Sequence, residues 1–412
     1  MIKKLGSSIF IYGGTNAIKS LVPFLMLPIL TFYISPKEYG DLSLIETTIM
    51  FLLPFIMLNI NGAINVEYFR QEDKGKYKQY VLNAIVLSFF SFLLMSLLFL
   101  LFKVQISSWM NIDVKWVELL VFFTFLRVLS TVILVIFQAS QRPKLYAYFS
   151  LSQTIIDFTI SYYLVVVLQY SITGRIVGVY SSFFMLMLLA LYLLYKMDYF
   201  KEKLTFKYTK EILSFGIPLI PHAIGGITLA MSDRYFISYF IGNNEVGLYM
   251  VAYQVSAVLL LISISLNQAW SPMFFSLMKD GKYEKINKVI NTLFFLFLLC
   301  TVFTYYFSSV IYTYFIDIRF HDSKVYFIYL LLGFSFQSFY LLYTNYLFYY
   351  KKTALLSIIT FTGAIVNILL NYVLIQIYGT IGVAYATTIT WFFYFISIAL
   401  IVKSLKRYKI EK

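Results

Sequence analysis

Twelve apolar segments, each long enough to cross a bilayer as a helix, occupy most of this 412-residue sequence. They run at about 9–34, 42–66, 79–102, 116–137, 145–168, 176–195, 212–236, 246–270, 287–312, 325–348, 354–375 and 381–402. A membrane helix needs roughly 20 apolar residues. In lipid every backbone polar group must be satisfied within the chain, and these runs are continuous rather than alternating, so they predict helices and not barrel strands. The expected fold class is an all-α polytopic membrane protein. Charged residues make up 13% of the chain, against about 25% in a soluble domain. Lys3 and Lys4 precede the first run. That run is too long for a signal-peptide core and lacks a small-residue cleavage site, so it reads as the first membrane helix.

The net charge of +14 would raise the question of nucleic acid in a soluble protein. Here the basic residues lie between the apolar runs. With the N-terminus in the cytoplasm, 24 of the 33 Lys and Arg residues fall in cytoplasmic segments, 7 fall on the opposite side, and Lys19 and Arg127 lie inside helices. Positive charge accumulates on the cytoplasmic side of membrane proteins, so the bias predicts two cytoplasmic termini and accounts for the charge with no nucleic-acid partner. The high aromatic content, 20%, fits interfacial belts. There is no G-x-x-x-x-G-K-[ST] loop and no H-E-x-x-H; Cys300 is the single cysteine, and the two histidines, His222 and His321, are far apart. No cofactor, nucleotide or metal is expected from these patterns.

The sequence also repeats itself. Ile34-Ser-Pro-Lys-Glu38-Tyr-Gly40 follows the first run, and Ile241-Gly-Asn-Asn-Glu245-Val-Gly247 follows the seventh, with Ile, Glu and Gly matched at a constant offset of 207. Arg142 precedes Asp157 by 15 residues, as Lys352 precedes Asn367, and Gly178-Val179-Tyr180 answers Gly382-Val383-Ala384. The order suggests two six-helix halves in the same orientation. The expected lobes are residues 1–203 and 204–412, joined by the basic stretch Lys196 to Lys210.

Several of these residues also form familiar motifs. Asn16 to Ile34 with Ser35-Pro36-Lys37-Glu38-Tyr39-Gly40, then Phe215-Gly216-Ile217-Pro218-Leu219-Ile220-Pro221-His222, Ser232-Asp233-Arg234-Tyr235-Phe236-Ile237, Val246-Gly247-Leu248-Tyr249 and Gln268-Ala269-Trp270-Ser271-Pro272 stand in order along the chain. The sequence resembles the bacterial O-antigen and capsule repeat-unit flippases, polysaccharide biosynthesis proteins of the multidrug/oligosaccharidyl-lipid/polysaccharide exporter superfamily. The resemblance runs from near residue 10 to near residue 400. It implies two pseudo-symmetric six-helix lobes around a central cavity, in the bacterial cytoplasmic membrane. It also implies movement of a polyprenyl-pyrophosphate-linked (undecaprenyl-pyrophosphate type) oligosaccharide to the outer leaflet by alternating access, with membrane lipids and polysaccharide assembly machinery as further partners. A transporter, not an enzyme, is expected. The short outward loops argue against a polysaccharide polymerase or ligase, and a multidrug or small-molecule antiporter of the same superfamily remains the alternative.

Charged groups inside membrane helices are costly and usually face a cavity or a partner. Lys19, Arg127 and Asp157 lie ten to twelve residues into the first, fourth and fifth helices, roughly 15–18 Å from their starts. Each sits on a polar stripe: Tyr12, Asn16, Lys19 and Pro23; Thr124, Arg127 and Thr131; Gln153, Asp157 and Ser161. Lys19, Arg127, Asp157 and Asn16 are therefore candidates for holding the anionic head group. Two arrangements stay open. Asp157 braces Arg127 or Lys19 and leaves one cation over, or Glu46, one turn inside the second helix, pairs instead and cancels the surplus. Candidates for coupling or gating are His222, Glu46, Asp233 and Arg234. His222 lies between Pro221 and Gly225, either as a proton carrier or as a neutral group bonded to a carbonyl that the prolines free. Asp233 and Arg234 read as an ion pair at the outer end or as a gate contact. Pro23 and Pro28 interrupt the first helix, and Pro218 and Pro221 the seventh, so kinks are expected in both.

Overall fold

The computed structural model describes residues 2–410, with side chains described for 11–352 and 355–405. Lys3, Lys4 and the end of the basic tail from Lys406 lie outside the described side chains, and with them the expectation for the two termini. Fifteen α-helices follow in order: α1 (Ile2–Tyr33), α2 (Pro36–Met57), α3 (Ile60–Arg70), α4 (Lys74–Leu101), α5 (Lys103–Met110), α6 (Val114–Ala139), α7 (Pro143–Tyr162), α8 (Ser171–Lys196), α9 (Phe206–Gly216), α10 (Ile220–Phe240), α11 (Asn243–Lys279), α12 (Tyr283–Phe315), α13 (Lys324–Tyr349), α14 (Thr353–Tyr378) and α15 (Thr380–Ile410). Among the described residues there is no strand, and 12 spans are long and apolar enough to cross a membrane. The protein is an all-α polytopic membrane protein.

Local chemistry sets the helix ends. At the start of α2, Ser35 and Glu38 form a capping box: the Ser35 backbone N–H and hydroxyl donate to Glu38 Oε2 at 3.0 and 2.8 Å. The Glu38 N–H donates back to Ser35 Oγ at 3.3 Å, so two backbone donors are met reciprocally. Asp73 caps α4 by accepting from the Gly75 N–H at 2.8 Å, and Pro143 opens α7, where its missing N–H costs nothing.

Two segments depart from the sequence expectation and one follows it. The second run is not one helix: Leu58 and Asn59 both take left-handed φ, near 50°, and separate α2 from α3. The seventh run is interrupted as expected, by a 3-10 turn at Ile217–Leu219 between α9 and α10. The two breaks dock on each other, with Asn59 Nδ2 donating to the Gly216 carbonyl at 3.2 Å. In contrast, α1 runs unbroken through Pro23 and Pro28. A proline removes one ladder bond, and α1 continues past both.

The chain divides into two compact units. The first holds Met1–Ile34 and Asp41–Ile227, and the second Ser35–Gly40 and Thr228–Lys412. The division thus falls inside α10 rather than at 203/204, because α9 packs on α3 and α4 of the first unit. Each unit repeats one packing scheme. In the first, α6 packs on α3, α4 and α8, and α7 packs on α8; in the second, α13 packs on α11, α12 and α15, and α14 packs on α15. The helices at the periphery, α4 and α12, turn large apolar side chains outward, including Phe90, Leu94 and Leu97 on one and Phe295, Phe303 and Tyr306 on the other. Exposure on this scale fits lipid and not water as the solvent.

One close contact lies within the second unit. The tip of α2 crosses the start of α11 at Gly40 and Gly247. A methyl added at Gly40 would lie 2.8 Å from the Asn243 carbonyl carbon and 3.1 Å from the Gly247 nitrogen. One added at Gly247 would lie 2.8 Å from the Pro36 carbonyl carbon and 3.1 Å from the Gly40 nitrogen. Pro36 and Asn243 stand at the same offset of 207 as the two glycines, so this is a self-complementary contact in which each repeat motif meets the other. Near the end of each unit a glycine also meets a preceding helix, Gly174 and Gly382 against Leu164 and Leu374.

Candidate functional site

Among the described residues, the charges that lie deep in the apolar spans of the first unit come from five helices, and Glu67, buried at the end of α3, pairs with Arg70 at 3.7 Å. Arg127 lies at the middle of α6 and is almost wholly buried. Its Nη2 donates to Glu46 Oε2 of α2 at 2.7 Å and approaches the Tyr180 hydroxyl of α8 at 3.2 Å. Tyr180 in turn donates to Glu46 Oε1 at 2.7 Å. The guanidinium lies over the Phe183 ring at 4.8 Å, and Tyr180 stacks on Phe123 at 3.9 Å. Arg127, Glu46 and Tyr180 therefore close a triangle of charge-assisted bonds walled by aromatic rings. Of the two arrangements open in the sequence, Arg127 takes the pairing with Glu46.

Asp157 braces neither Arg127 nor Lys19. Its Oδ1 accepts from Arg175 Nη1 at 2.6 Å and from Ser161 Oγ at 3.0 Å, and Arg175 also donates to Ser161 Oγ at 2.7 Å. Arg175 is the residue that sequence reasoning missed. It stands one position before the expected start of the sixth run at 176, where the sequence reads as an outward loop. The helix α8 begins earlier, at Ser171, which places Arg175 one turn inside. A signal was available in Gly174 and Gly178, four residues apart. Small residues at that spacing let membrane helices approach closely. A methyl at Gly178 would lie 2.7 Å from the Ser161 Cα, so α7 and α8 meet almost backbone to backbone there. That approach carries Arg175 to Asp157. It also turns the polar stripe of α7 toward α8, where Gln153 Nε2 donates to Ser182 Oγ at 3.1 Å.

Lys19 is different. It is half-buried on α1 and has no ion-pair or hydrogen-bond partner among the described residues. Its neighbours on the stripe are engaged with α7: Tyr146 donates to Asn16 Oδ1 at 3.4 Å, and Tyr12 meets Tyr146 edge to face at 5.0 Å. Arg175 restores the surplus that Glu46 would have cancelled. Among the described residues, the interiors of the spans of this unit hold three cations, Lys19, Arg127 and Arg175, and two carboxylates, Glu46 and Asp157, which pair off the arginines. Lys19 is the charge left over.

The second unit holds no such excess. Asp233 and Arg234 of α10 are both buried in it. Asp233 Oδ1 accepts from the Arg234 backbone N–H at 2.9 Å and Oδ2 from the Tyr249 hydroxyl at 2.8 Å; Tyr249 also reaches Thr387 at 3.4 Å. The pair is thus part of an interior network and not an exposed contact at the helix end. Where the first unit has Asp157 and Ser161, the second has Asn367 and Asn371: Asn371 Nδ2 donates to Asn367 Oδ1 at 3.1 Å, and Asn367 Nδ2 to Thr390 at 3.2 Å. This is an uncharged version of the same link to the following helix. His222 is exposed at the start of α10 and makes no bond to a freed carbonyl among the described residues. No cluster of three or more His, Cys, Asp or Glu able to hold a metal occurs among the described residues.

Two family models match the sequence, and solved structures share its fold. The family model described as polysaccharide biosynthesis protein matches residues 5–278, and the MatE model matches residues 218–373. Protein 1 of the Lsg locus of Haemophilus influenzae is 27% identical over 372 residues, covering 85% of this chain and 86% of its own. An inward-facing multidrug resistance MATE family transporter of the MOP superfamily has a TM-score of 0.76 at 13% identity, covering 94% of this chain and 96% of its own. The lipid II flippase MurJ in an inward closed conformation has a TM-score of 0.75 at 16% identity, covering 98% of this chain and 88% of its own. At such identities the structural likeness speaks for the fold, and the family match, spanning well over half of the sequence, speaks for descent. The chain belongs to the polysaccharide biosynthesis protein family.

Proposed function

We propose that this protein is a flippase that carries a polyprenyl-pyrophosphate-linked oligosaccharide repeat unit from the cytoplasmic to the outer leaflet by alternating access, for O-antigen or capsule synthesis. The observation that carries the reading is the uncompensated charge of Lys19 at mid-helix, in a member of a polysaccharide biosynthesis family. An unpaired cation in a membrane span costs about 2.5–3.5 kcal/mol on insertion scales. The phosphates of a lipid-linked sugar would offset that cost. Lys19, with Asn16 beside it, is the proposed contact for the head group. Arg127 and Asp157, each held by its own partner, fix the helices around it. The glycan would cross with the head group while the polyprenyl tail stays in the bilayer.

Energetics agree with an export role. With the interior negative, outward movement of an anion gains about 2.3 kcal/mol per charge per 100 mV. Return of the empty carrier is the step that would call for a coupling ion, for which His222 and Asp233 are the proposed groups. The MatE match over 218–373 favours a second reading, a multidrug antiporter. A carrier of organic cations calls for acidic groups in its path, and the first unit instead has a surplus of positive charge. The deciding experiment locates the lipid-linked repeat unit by leaflet in a strain lacking the gene. Accumulation on the cytoplasmic leaflet supports the flippase; a normal distribution with increased drug sensitivity supports the antiporter.

A further inference from the structure

A second basic site lies away from Lys19, at the other end of the first unit's helices. The end of α3, the starts of α4 and α7 and the ends of α6 and α8 enclose a cavity of about 440 Å³. Its wall includes Lys74, Lys78 and Arg142. Glu72 is the one carboxylate in that wall, so three cations face one acid. None of the three cations has an ion-pair partner among the described residues. The nearby Asp198 is engaged elsewhere, with Lys201 at 2.7 Å. Lys78 is steadied over the Tyr199 ring at 5.9 Å.

The floor is aromatic and carries an orphaned donor. Tyr77 meets Tyr68 at 5.1 Å and Tyr199 at 6.5 Å, both edge to face. Tyr77 is 5% exposed, it lines the cavity, and its hydroxyl has no hydrogen-bond partner among the described residues. A buried hydroxyl left unmatched costs free energy, so its place in the wall of a cationic cavity calls for an acceptor. The charge bias puts this end of the helices at the cytoplasmic face. Basic pockets between helices on that face suit phosphorylated head groups.

We propose that this cavity binds a phosphate group, with Lys78 and Arg142 as the charged contacts and Tyr77 as the neutral donor. Arginine presents a fork of donors and lysine a point charge, and together they match a phosphate that has oxygens to spare for the tyrosine. The phosphate comes either from an anionic lipid head group or from a soluble phosphate compound. This inference does not depend on the flippase reading.

The test uses the full-length protein with Lys19→Ala throughout, so that the proposed substrate site contributes no signal. One arm titrates inorganic pyrophosphate into protein held in phosphatidylcholine nanodiscs. The other compares the melting midpoint in phosphatidylcholine and phosphatidylglycerol nanodiscs. Binding of pyrophosphate identifies a soluble ligand, and stabilisation by phosphatidylglycerol alone identifies a lipid. In either case Lys78→Ala/Arg142→Ala should weaken the response about tenfold or more, Tyr77→Phe should weaken it less, and Lys78→Arg should keep it. If the double variant does not fold, Lys74→Glu, at an exposed position, reverses one charge of the wall and should weaken the response as well. A wild-type cavity that answers neither probe, or a response unchanged in these variants, overturns the proposal.

Discussion

Gly40→Ala tests the contact on which the repeat motifs converge. The added methyl would lie 2.8 Å from the Asn243 carbonyl carbon, where ordinary carbon contacts are about 3.5–4.0 Å. The shortfall is about 0.7 Å at the least. The obstructing atoms are backbone, so no rotamer change relieves it, and the tip of α2 must draw away from α11. Overpacking of this kind costs about 1–3 kcal/mol. A helical Gly→Ala change also gains up to about 1 kcal/mol of propensity, so the proper control is Gly226→Ala, which meets no heavy atom within 4 Å. Relative to that control, Gly40→Ala should lower the thermal midpoint of the purified protein by roughly 1–4 °C. Gly247→Ala should do the same, and the double variant should lose less than the sum, because tips once parted admit both methyls. Gly40→Ala as stable as Gly226→Ala, or strict additivity of the pair, would refute the contact.

Three further outcomes follow from the paired charges and the charge bias. Arg127→Ala or Glu46→Gln leaves a buried partner uncompensated and should cost about 3–5 kcal/mol, read as lost protein abundance; an abundant, stable Arg127→Ala protein would contradict the Glu46 pairing. Arg175→Ala should lower abundance as Asp157→Asn does, and the two together should be no worse than either alone, whereas independent effects would show that they do not pair. Reporter fusions after Lys78, Lys144 and Lys210 should report cytoplasm and those near Lys37, Lys115 and Lys324 the outside; a reversal after any span would mean a helix miscounted.

The twelve spans were legible because length and continuous apolarity are properties of each segment alone. The break at Leu58 and Asn59 was not, because Leu58 reads as an ordinary member of the run; only Asn59, a residue type that tolerates left-handed φ, hints at the turn. The early start of α8 hid Arg175, and with it the true partner of Asp157. Hydropathy sets a boundary where charge begins, but a charged residue that finds a partner stays inside the helix. Lys19 and Glu46 were recognisable as intramembrane charges from position alone. Which charge pairs with which depends on helix facing, and for α7 that is decided by the Gly174 and Gly178 surface of another helix. The prolines of α1 and α10 show the same limit: identical residues leave one helix continuous and sit beside a break in the other.

The central claim is that Lys19 holds the phosphate-linked head group during transport. Its most direct test is transbilayer movement of a polyprenyl-pyrophosphate-linked repeat unit in vesicles containing purified protein, comparing wild type, Lys19→Ala and Lys19→Arg at equal protein content. Charge-assisted contacts are worth about 1.5–3 kcal/mol, so Lys19→Ala should slow movement about tenfold or more, with Lys19→Arg between it and wild type. Movement by Lys19→Ala at the wild-type rate would contradict the account.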